Sequence, residues 1–197
     1  ERQRTKDLAY IFDCMEDQIS FRKSEITRDT IYHYGDLDFA YVTKTEDLIL
    51  PKYVRGNLNL RKITSAEGLK LPEYIGGYLD LESLKSAEGL VFPKKIGGYL
   101  DLRGLKRAKG LVFPKSIGEN LNLNSLIIAK GLVLPETIGE SLYLGSLINA
   151  EGLKLPKKIG SGLFLPKLKN AKGVVLPESI GGPLDLSGLT SAEGMTL

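Results

Sequence analysis

The sequence predicts a mainly β fold: a parallel β-solenoid of seven full 21-residue coils with an α-helical cap at its N-terminus. Three observations support this prediction. Prolines recur every 21 residues from Pro51 to Pro177, and glycines recur at the same interval from Gly68 to Gly194. The unit from Leu69 to Gly89 also has two Leu-x-Leu segments, whose alternation is typical of short, half-buried strands,. A constant period of this length indicates units that bury their apolar faces against their neighbours.

Residues 1–34 are predicted to form the cap. Apolar residues recur there at the spacing of one helical face, namely Leu8, Ile11, Phe12, Met15 and Ile19,. We expect this face to cover the first coil, because the terminal units of a solenoid need covering. Residues 23–34 are polar and aromatic, and their pattern fits either a second short helix or a first extended segment.

Residues 35–47 align with the repeats and form a degenerate capping repeat. The solenoid proper spans residues 48–197. Its seven full repeats, numbered here as coils 1 to 7, start at Leu48, Leu69, Leu90, Leu111, Leu132, Leu153 and Val174, and an eighth begins at Met195.

Each repeat can be numbered from position 1 to position 21, so that Leu69 is position 1 of coil 2 and Gly89 is position 21. We expect one strand at Leu69–Leu71, with Pro72 just after it, because proline has no N–H for a ladder. A second strand is expected around Leu79–Leu81, with a third short side from Leu84 to Ala87. Glycines at positions 8, 9 and 21 should supply the corners. The predicted inward side chains of coil 2 are Leu69, Leu71, Ile75, Leu79, Leu81, Leu84 and Ala87.

The pattern Leu-x-Leu-Pro-x-x-Ile-Gly followed by Leu-x-Leu-x-x-Leu resembles bacterial and plant-type leucine-rich repeats over residues 48–197. The resemblance implies a curved solenoid whose variable strand face binds protein partners. The inward asparagine ladder of that family is missing, and alanines occupy position 19 instead. A horseshoe and a straighter parallel β-helix therefore both remain open.

Composition limits the classes of partner and compartment. The net charge is +3, and the 27 basic residues are interspersed with 24 acidic ones, so no basic stripe predicts nucleic-acid binding,. Cys14 is the only cysteine, which excludes an internal disulfide,. No run of 18 apolar residues or signal-peptide segment is present, so no membrane span is expected. These features favour a cytoplasmic location, with a secreted effector as the alternative.

Catalytic and cofactor motifs are missing from the sequence. His33 is the only histidine and has no identifiable nucleophile or acid partner, while Cys14 fits a small buried hydrophobic residue,. Neither a phosphate-binding loop nor a metal-spaced Cys/His cluster occurs. Asp80 and Asp101 are only two acids, too few for a calcium site. We therefore expect no enzyme activity, cofactor or metal.

The variable positions of the repeat give the candidate binding residues. Positions 10, 12 and 14 change between coils and should project outward from the second strand, whereas the apolar positions hardly change. Tyrosine and arginine are frequent interface anchors, although drift at unconstrained positions would give the same variability. The candidates are Arg61, Tyr78, Asp80, Glu82, Tyr99, Asp101, Arg103, Asn122, Tyr143 and Phe164. A second candidate is an apolar patch of Ile127, Ile128 and Ile148.

The sequence therefore predicts a non-enzymatic scaffold that binds a protein partner on the variable face. The alternative is a targeting module of a larger enzyme or effector, suggested by the abrupt end at Leu197. End-to-end self-association through an uncovered last coil is a third hypothesis.

Overall fold

The protein is described by a computed structural model that covers residues 31–45, 48–107, 111–129, 131–151 and 153–196. Within these ranges the chain forms a parallel β-solenoid with two sheets, each built from eight two-residue strands. Successive strands along the chain alternate between the two sheets, so each coil contributes one strand to each sheet.

The first sheet is built from positions 6 and 7 of each coil. Its strands are β1 Tyr32–His33, β3 Tyr53–Val54, β5 Tyr74–Ile75, β7 Lys95–Ile96, β9 Ser116–Ile117, β11 Thr137–Ile138, β13 Lys158–Ile159 and β15 Ser179–Ile180. The second sheet is built from positions 11 and 12. Its strands are β2 Leu37–Asp38, β4 Leu58–Asn59, β6 Leu79–Asp80, β8 Leu100–Asp101, β10 Leu121–Asn122, β12 Leu142–Tyr143, β14 Leu163–Phe164 and β16 Leu184–Asp185.

Each strand pairs in register with the strand 21 residues away. Leu79 lies opposite Leu100, for example, and Asp80 lies opposite Asp101. The Leu79 N–H donates to the Tyr99 carbonyl at 2.9 Å, and the Leu81 N–H donates to the Asp101 carbonyl at 3.0 Å. Residues at one repeat position therefore form a continuous column along the solenoid.

The strand predicted at Leu69–Leu71 is wrong, because the first regular strand of that coil is β5, after Pro72. Proline has no N–H to donate, so the ladder resumes only beyond it. The Glu73 N–H makes the first such bond, to the Lys52 carbonyl at 2.8 Å. Position 2 forms only isolated bridges, such as the one between Val112 and Val133.

The third side of the coil follows the second sheet. The Leu84 N–H donates to the Leu81 carbonyl at 3.0 Å and closes the turn into this side. Position 18 then forms isolated parallel bridges between coils, such as Ser65 with Ser86. The short third side predicted from Leu84 to Ala87 is therefore present, although only one residue per coil forms a bridge there, compared with two in each strand of the sheets.

Glycine is required at two corners for different reasons. Gly89 has φ of +75°, and the Leu90 N–H donates to the Ala87 carbonyl at 3.1 Å across it, which is the geometry of a type II turn,. Gly97, at position 8, has no positive φ. A Cβ there would lie 2.0 Å from the Gly76 carbonyl oxygen, so the coils come too close for any side chain,.

The core confirms the inward positions predicted from the period. In coil 2, Ile75, Leu79, Leu81 and Leu84 are fully buried, Leu69 and Ala87 are 7% and 8% exposed, and Leu71 is only partly buried. The position-19 alanines of coils 1, 4, 5 and 6 are also buried, whereas Ala192 in coil 7 is exposed. At position 3 the rings of Phe92 and Phe113 stack, with centroids 5.0 Å apart. The core is therefore a set of side-chain columns between the sheets.

The two ends of the described solenoid differ in burial. Leu37 and Phe39 of the degenerate repeat are buried, whereas Leu184 of coil 7 is 40% exposed.

The end of the predicted cap is extended, not helical. Tyr32–His33 pairs with Tyr53–Val54 as a strand, which is one of the two alternatives that the sequence left open for residues 23–34. The rest of the predicted cap, residues 1–30 with Cys14, lies outside the described residues. Across the described ranges, the structure contains no helix that could span a bilayer.

Candidate protein-binding face

The outward side chains of positions 10, 12 and 14 form one surface over the second sheet, called here the second-sheet face. All ten predicted partner-binding residues lie on it, because register pairing brings each position of one coil beside the same position of the next. The structure thus places the ten residues in neighbouring columns over the second sheet, and the contacts among them distinguish their roles.

Tyr78 and Tyr99 form the centre of this face. Their rings stack, with centroids 4.6 Å apart and planes 10° from parallel. That separation matches the spacing of about 4.8 Å between neighbouring strands, so the ring planes lie across the solenoid axis and the ring edges point outward. Burial raises the pKa of Tyr99 to about 12, with a further contribution from the Asp80 carboxylate. Both phenols are therefore neutral donors at physiological pH.

Asp101 and Arg103 form a charge pair beside the tyrosines. The Arg103 Nε donates to Asp101 Oδ1 at 3.1 Å and to Oδ2 at 2.9 Å, and Nη2 also donates to Oδ2. The prediction that position 12 projects outward does not make Asp101 accessible, because only 4% of the residue is exposed. Its bond to Asp101 raises the pKa of Arg103, whose side chain remains 53% exposed. Arg103 is therefore the accessible member of the pair.

Asp80 lies one coil before Asp101 in a less favourable environment. Burial raises the pKa of the Asp80 carboxyl, and the neighbouring charges of Asp101 and Glu82 raise it further. Arg61 is 3.4 Å from Glu82, with both side chains partly exposed. Acidic and basic groups therefore alternate along this part of the face, within one or two coils of the tyrosine stack.

A second aromatic pair lies farther along the same face. Tyr143 and Phe164 stack in coils 5 and 6, with centroids 5.0 Å apart. A Cβ on Gly162 would lie 2.5 Å from the Phe164 ring, so glycine at position 10 leaves room for this ring to lie over the backbone. The Gly162 N–H donates to Ser141 Oγ at 3.1 Å, which satisfies the buried backbone beneath.

Most of position 12 has a structural role that the sequence prediction missed. The side-chain oxygen of an Asn or Asp there accepts the backbone N–H two residues later, which is an Asx turn. The donor–acceptor distances lie between 2.9 and 3.2 Å. These acceptors are Asn59, Asp80, Asp101, Asn122 and Asp185. The turn is a sufficient reason for an Asn at position 122, without a role in binding a partner.

A partial ladder of side-chain oxygens at position 10 was also missed. Asp36 Oδ1 accepts the Asn57 N–H at 2.7 Å, and Asn57 Oδ1 accepts the Tyr78 N–H at 2.9 Å. Farther along, Asn120 Oδ1 accepts the Ser141 N–H at 3.0 Å. The recurrence of Asn or Asp at a spacing of 21 could have revealed it. It is an outward counterpart of the inward asparagine ladder that these repeats lack.

The first sheet has aromatic side chains of its own at position 6, and these were missed as well. Tyr32 and Tyr53 stack, with centroids 5.0 Å apart. The Lys52 Nζ lies 5.4 Å from the Tyr53 ring centroid, and the Lys95 Nζ lies 5.6 Å from that of Tyr74. From coil 4 onward the column contains Ser, Thr and Lys, so this aromatic cluster is confined to one end.

The remaining candidates lie away from the second-sheet face. Ile127, Ile128 and Ile148 are 46%, 49% and 51% exposed on the third side. Ile128 bridges Asn149, the residue after Ile148, so the three are neighbours. His33, in β1 just before the degenerate repeat, is 2% exposed, and its Nε2 is 3.2 Å from the Asp36 carbonyl oxygen.

The geometry thus defines the chain as a parallel β-solenoid with a contiguous face of aromatic and charged side chains. Its repeat length, register and burial all derive from the 21-residue period. No protein-family model, curated protein or solved structure matches this chain.

Proposed function

We propose that the protein is a non-enzymatic scaffold that binds a protein partner on the second-sheet face, centred on coils 2 and 3. The observation that carries the proposal is the stacked pair Tyr78–Tyr99 beside the exposed guanidinium of Arg103. Tyrosine and arginine are the residue types enriched at binding hot spots. The leucine-rich-repeat resemblance supports the same use of a variable strand face.

The geometry favours a protein over a carbohydrate ligand. Sugars bind to exposed aromatic ring faces, and the stack leaves only the outer face of each of Tyr78 and Tyr99 for such a contact. The outward edges offer hydroxyl donors instead, next to the charged groups of Asp80 and Arg103. A preorganised stack also limits the side-chain entropy lost on binding, since both rings are ordered beforehand. These features suit a partner with polar, charged chemistry of its own.

A pull-down with site variants tests this proposal. The variant Tyr78→Ala/Tyr99→Ala/Arg103→Ala should lose the proteins that the unaltered chain captures from a lysate of its source. The matched control Thr137→Ala/Lys158→Ala/Ser179→Ala removes three exposed side chains from the first sheet and should retain capture. Retained capture by the site variant, or no capture by the unaltered chain, contradicts the proposal.

A second variant separates binding from folding. Removing Arg103 leaves the buried Asp101 without its guanidinium, so the triple variant is checked against Tyr78→Ala/Tyr99→Ala, which keeps that pair. Far-ultraviolet circular dichroism of each variant should match that of the unaltered chain.

The targeting-module alternative would use the same face and stays a prediction, as does end-to-end self-association.

A further inference from the structure

A row of exposed valines runs along the solenoid at position 2 of the repeat, outside the second-sheet face. At position 2, Val91, Val112 and Val133 are 78%, 72% and 64% exposed in three successive coils. Val133 bridges both Val112 and Lys154, so these positions of neighbouring coils are paired in register. An apolar row this exposed is unusual for a surface that faces only water.

A column of charges at position 5 lies on the same side. One shallow groove is lined by residues 66–73 together with Glu88, Val91 and Lys94, so positions 2 and 5 share a surface. A second groove is lined in the same way by residues 153–157 with Val175 and Glu178. We call the side chains of positions 2 and 5 the valine strip.

The charges of position 5 have an unusual order. From coil 1 to coil 7 they are Lys52, Glu73, Lys94, Lys115, Glu136, Lys157 and Glu178. Neighbours of opposite sign pair within the chain, as in Glu73 with Lys94 at 2.7 Å and Lys115 with Glu136 at 3.7 Å. The alternation slips once, where Lys94 is followed by Lys115. Intrachain pairing does not explain this slip, because it places two lysines in adjacent coils.

The slip makes the column complementary to its own reverse. If two copies are laid face to face in opposite directions about coil 4, Lys94 meets Glu136, Glu73 meets Lys157 and Lys52 meets Glu178. A strictly alternating column would instead place like charges opposite each other. The same operation places Val112 on its own copy and Val91 on Val133. An isologous two-fold contact requires this kind of self-complementarity.

From this match we propose that the valine strip binds a second copy of the chain, forming an antiparallel homodimer with Val112 at the two-fold axis. Six steps of about 4.8 Å make the strip about 29 Å long.

Some like charges meet in this register, and they limit its strength. Lys115 meets its own copy, although Glu136 lies beside each one. Lys70 meets Lys154 and Glu67 meets Glu151. The net charges of the two facing rows are nevertheless opposite. The row at coil 2 has a net charge of −1 and consists of Glu67, Lys70 and Glu73. The row that faces it in the second copy has a net charge of +1 and consists of Glu151, Lys154 and Lys157. We therefore expect a weak dimer with a small interface.

Sedimentation of the purified full chain from about 1 μM to about 1 mM tests the proposal, since this range spans weak dissociation constants. The unaltered chain should shift from monomer to dimer. Val112→Asp, which places two carboxylates at the axis, should stay monomeric. The control Asn124→Asp adds the same charge on the opposite side of the same coil and preserves the acceptor of the Gly145 N–H, so it should dimerise normally.

A mixing experiment tests the antiparallel register. Glu73→Lys alone and Lys157→Glu alone each place like charges opposite each other twice per dimer, so each should weaken dimerisation about tenfold, given the modest strength of exposed ion pairs. Mixed together, the two variants restore both pairs in a heterodimer, which should form at the unaltered strength. A monomer throughout, a Val112→Asp dimer, or no recovery on mixing would overturn the proposal.

Discussion

Asp80 and Asp185 occupy the same position of their coils and accept the same kind of hydrogen bond, yet their carboxyl pKa values shift in opposite directions. Each Oδ1 accepts the backbone N–H two residues later, at 3.0 Å and 2.9 Å. Burial raises the pKa of Asp80, and Asp101 and Glu82 reinforce this shift. The Ser187 backbone N–H lowers the pKa of Asp185, where burial has little effect.

This contrast predicts opposite effects of one substitution. Asp80→Asn keeps the turn acceptor and removes a partly buried charge, so it should raise the free energy of unfolding at pH 7 by up to about 1 kcal/mol after solvent screening. Asp185→Asn should instead lower stability slightly, because it removes a carboxylate stabilised by its turn. Urea denaturation of both variants is the measurement. Equal effects of the same sign would contradict the role assigned to burial.

The pH dependence follows from the same directions. A raised pKa makes Asp80 contribute most favourably below 3.8, its unfolded value, and this contribution is lost as the pH rises through the folded pKa,. Asp185 contributes above 3.8 and loses this contribution as the pH falls through its lower folded pKa,. The advantage of Asp80→Asn over the unaltered chain should therefore shrink in acid.

The Tyr99 phenol should ionise late. Its pKa rises from 10.0 to about 12, so between these values the unfolded chain releases the proton and the folded chain keeps it. Stability should therefore fall across this interval. Tyr99→Phe keeps the stacked ring and removes the phenol, which should remove this part of the pH dependence. The difference between the phenolate absorbance curves of the two proteins during titration isolates the ionisation of Tyr99. A difference curve with its midpoint near 10.0 would count against the burial of Tyr99.

Arg103 should contribute more to stability than Arg61. Arg103 pairs with Asp101, which is 4% exposed, whereas Arg61 pairs with a partly exposed Glu82. Arg103→Ala leaves a buried carboxylate without its main donor and should cost about 1–3 kcal/mol. Arg61→Ala should cost less than about 1 kcal/mol, as exposed pairs do. Urea denaturation compares the two, and similar losses would mean that water replaces the guanidinium at Asp101.

Two glycines should respond differently to alanine. Gly97→Ala places a Cβ 2.0 Å from the Gly76 carbonyl oxygen, so a coil must shift, and we expect a loss above about 3 kcal/mol,. Gly89→Ala meets no atom within 4 Å and is strained only by its φ of +75°, which costs about 1–2 kcal/mol,. Chemical denaturation of the pair gives the order. The reverse order would mean that turn strain, rather than coil spacing, fixes the glycine pattern.

The inward columns could be predicted from the sequence because burial is periodic. Every leucine at positions 11, 13 and 16 must meet its equivalent in the next coil, so a fixed spacing of 21 determines the core without knowledge of the backbone. The first strand could not be placed in this way. Leu69–Leu71 alternates as a strand does, but alternation does not show which backbone N–H groups pair between coils. Pro72 has no N–H, and the regular ladder of this coil lies after the proline, not before it,.

The candidate site was predictable as a surface but not in its internal contacts. Counting by 21 places Tyr78 beside Tyr99 and Asp80 beside Asp101. The burial of Asp101 depends on the side-chain conformation of Arg103, which repeat spacing does not fix. The Asx turns depend on the local backbone direction after the second strand, which the repeat spacing does not give. The variability of position 12 alone therefore predicts an interface role for Asn122, and the turn acceptor stays hidden.

Because residue i pairs with residue i + 21, a residue in an inner coil lies beside two others, one 21 positions before it and one 21 positions after it. A single inserted or deleted residue within a coil would move every later side chain one column sideways, and Gly97 could no longer lie over Gly76. Insertion or loss of 21 residues would leave all columns intact and change the length of each face by one step of about 4.8 Å. Growth by whole units is therefore the one change of length that this architecture can absorb without repacking.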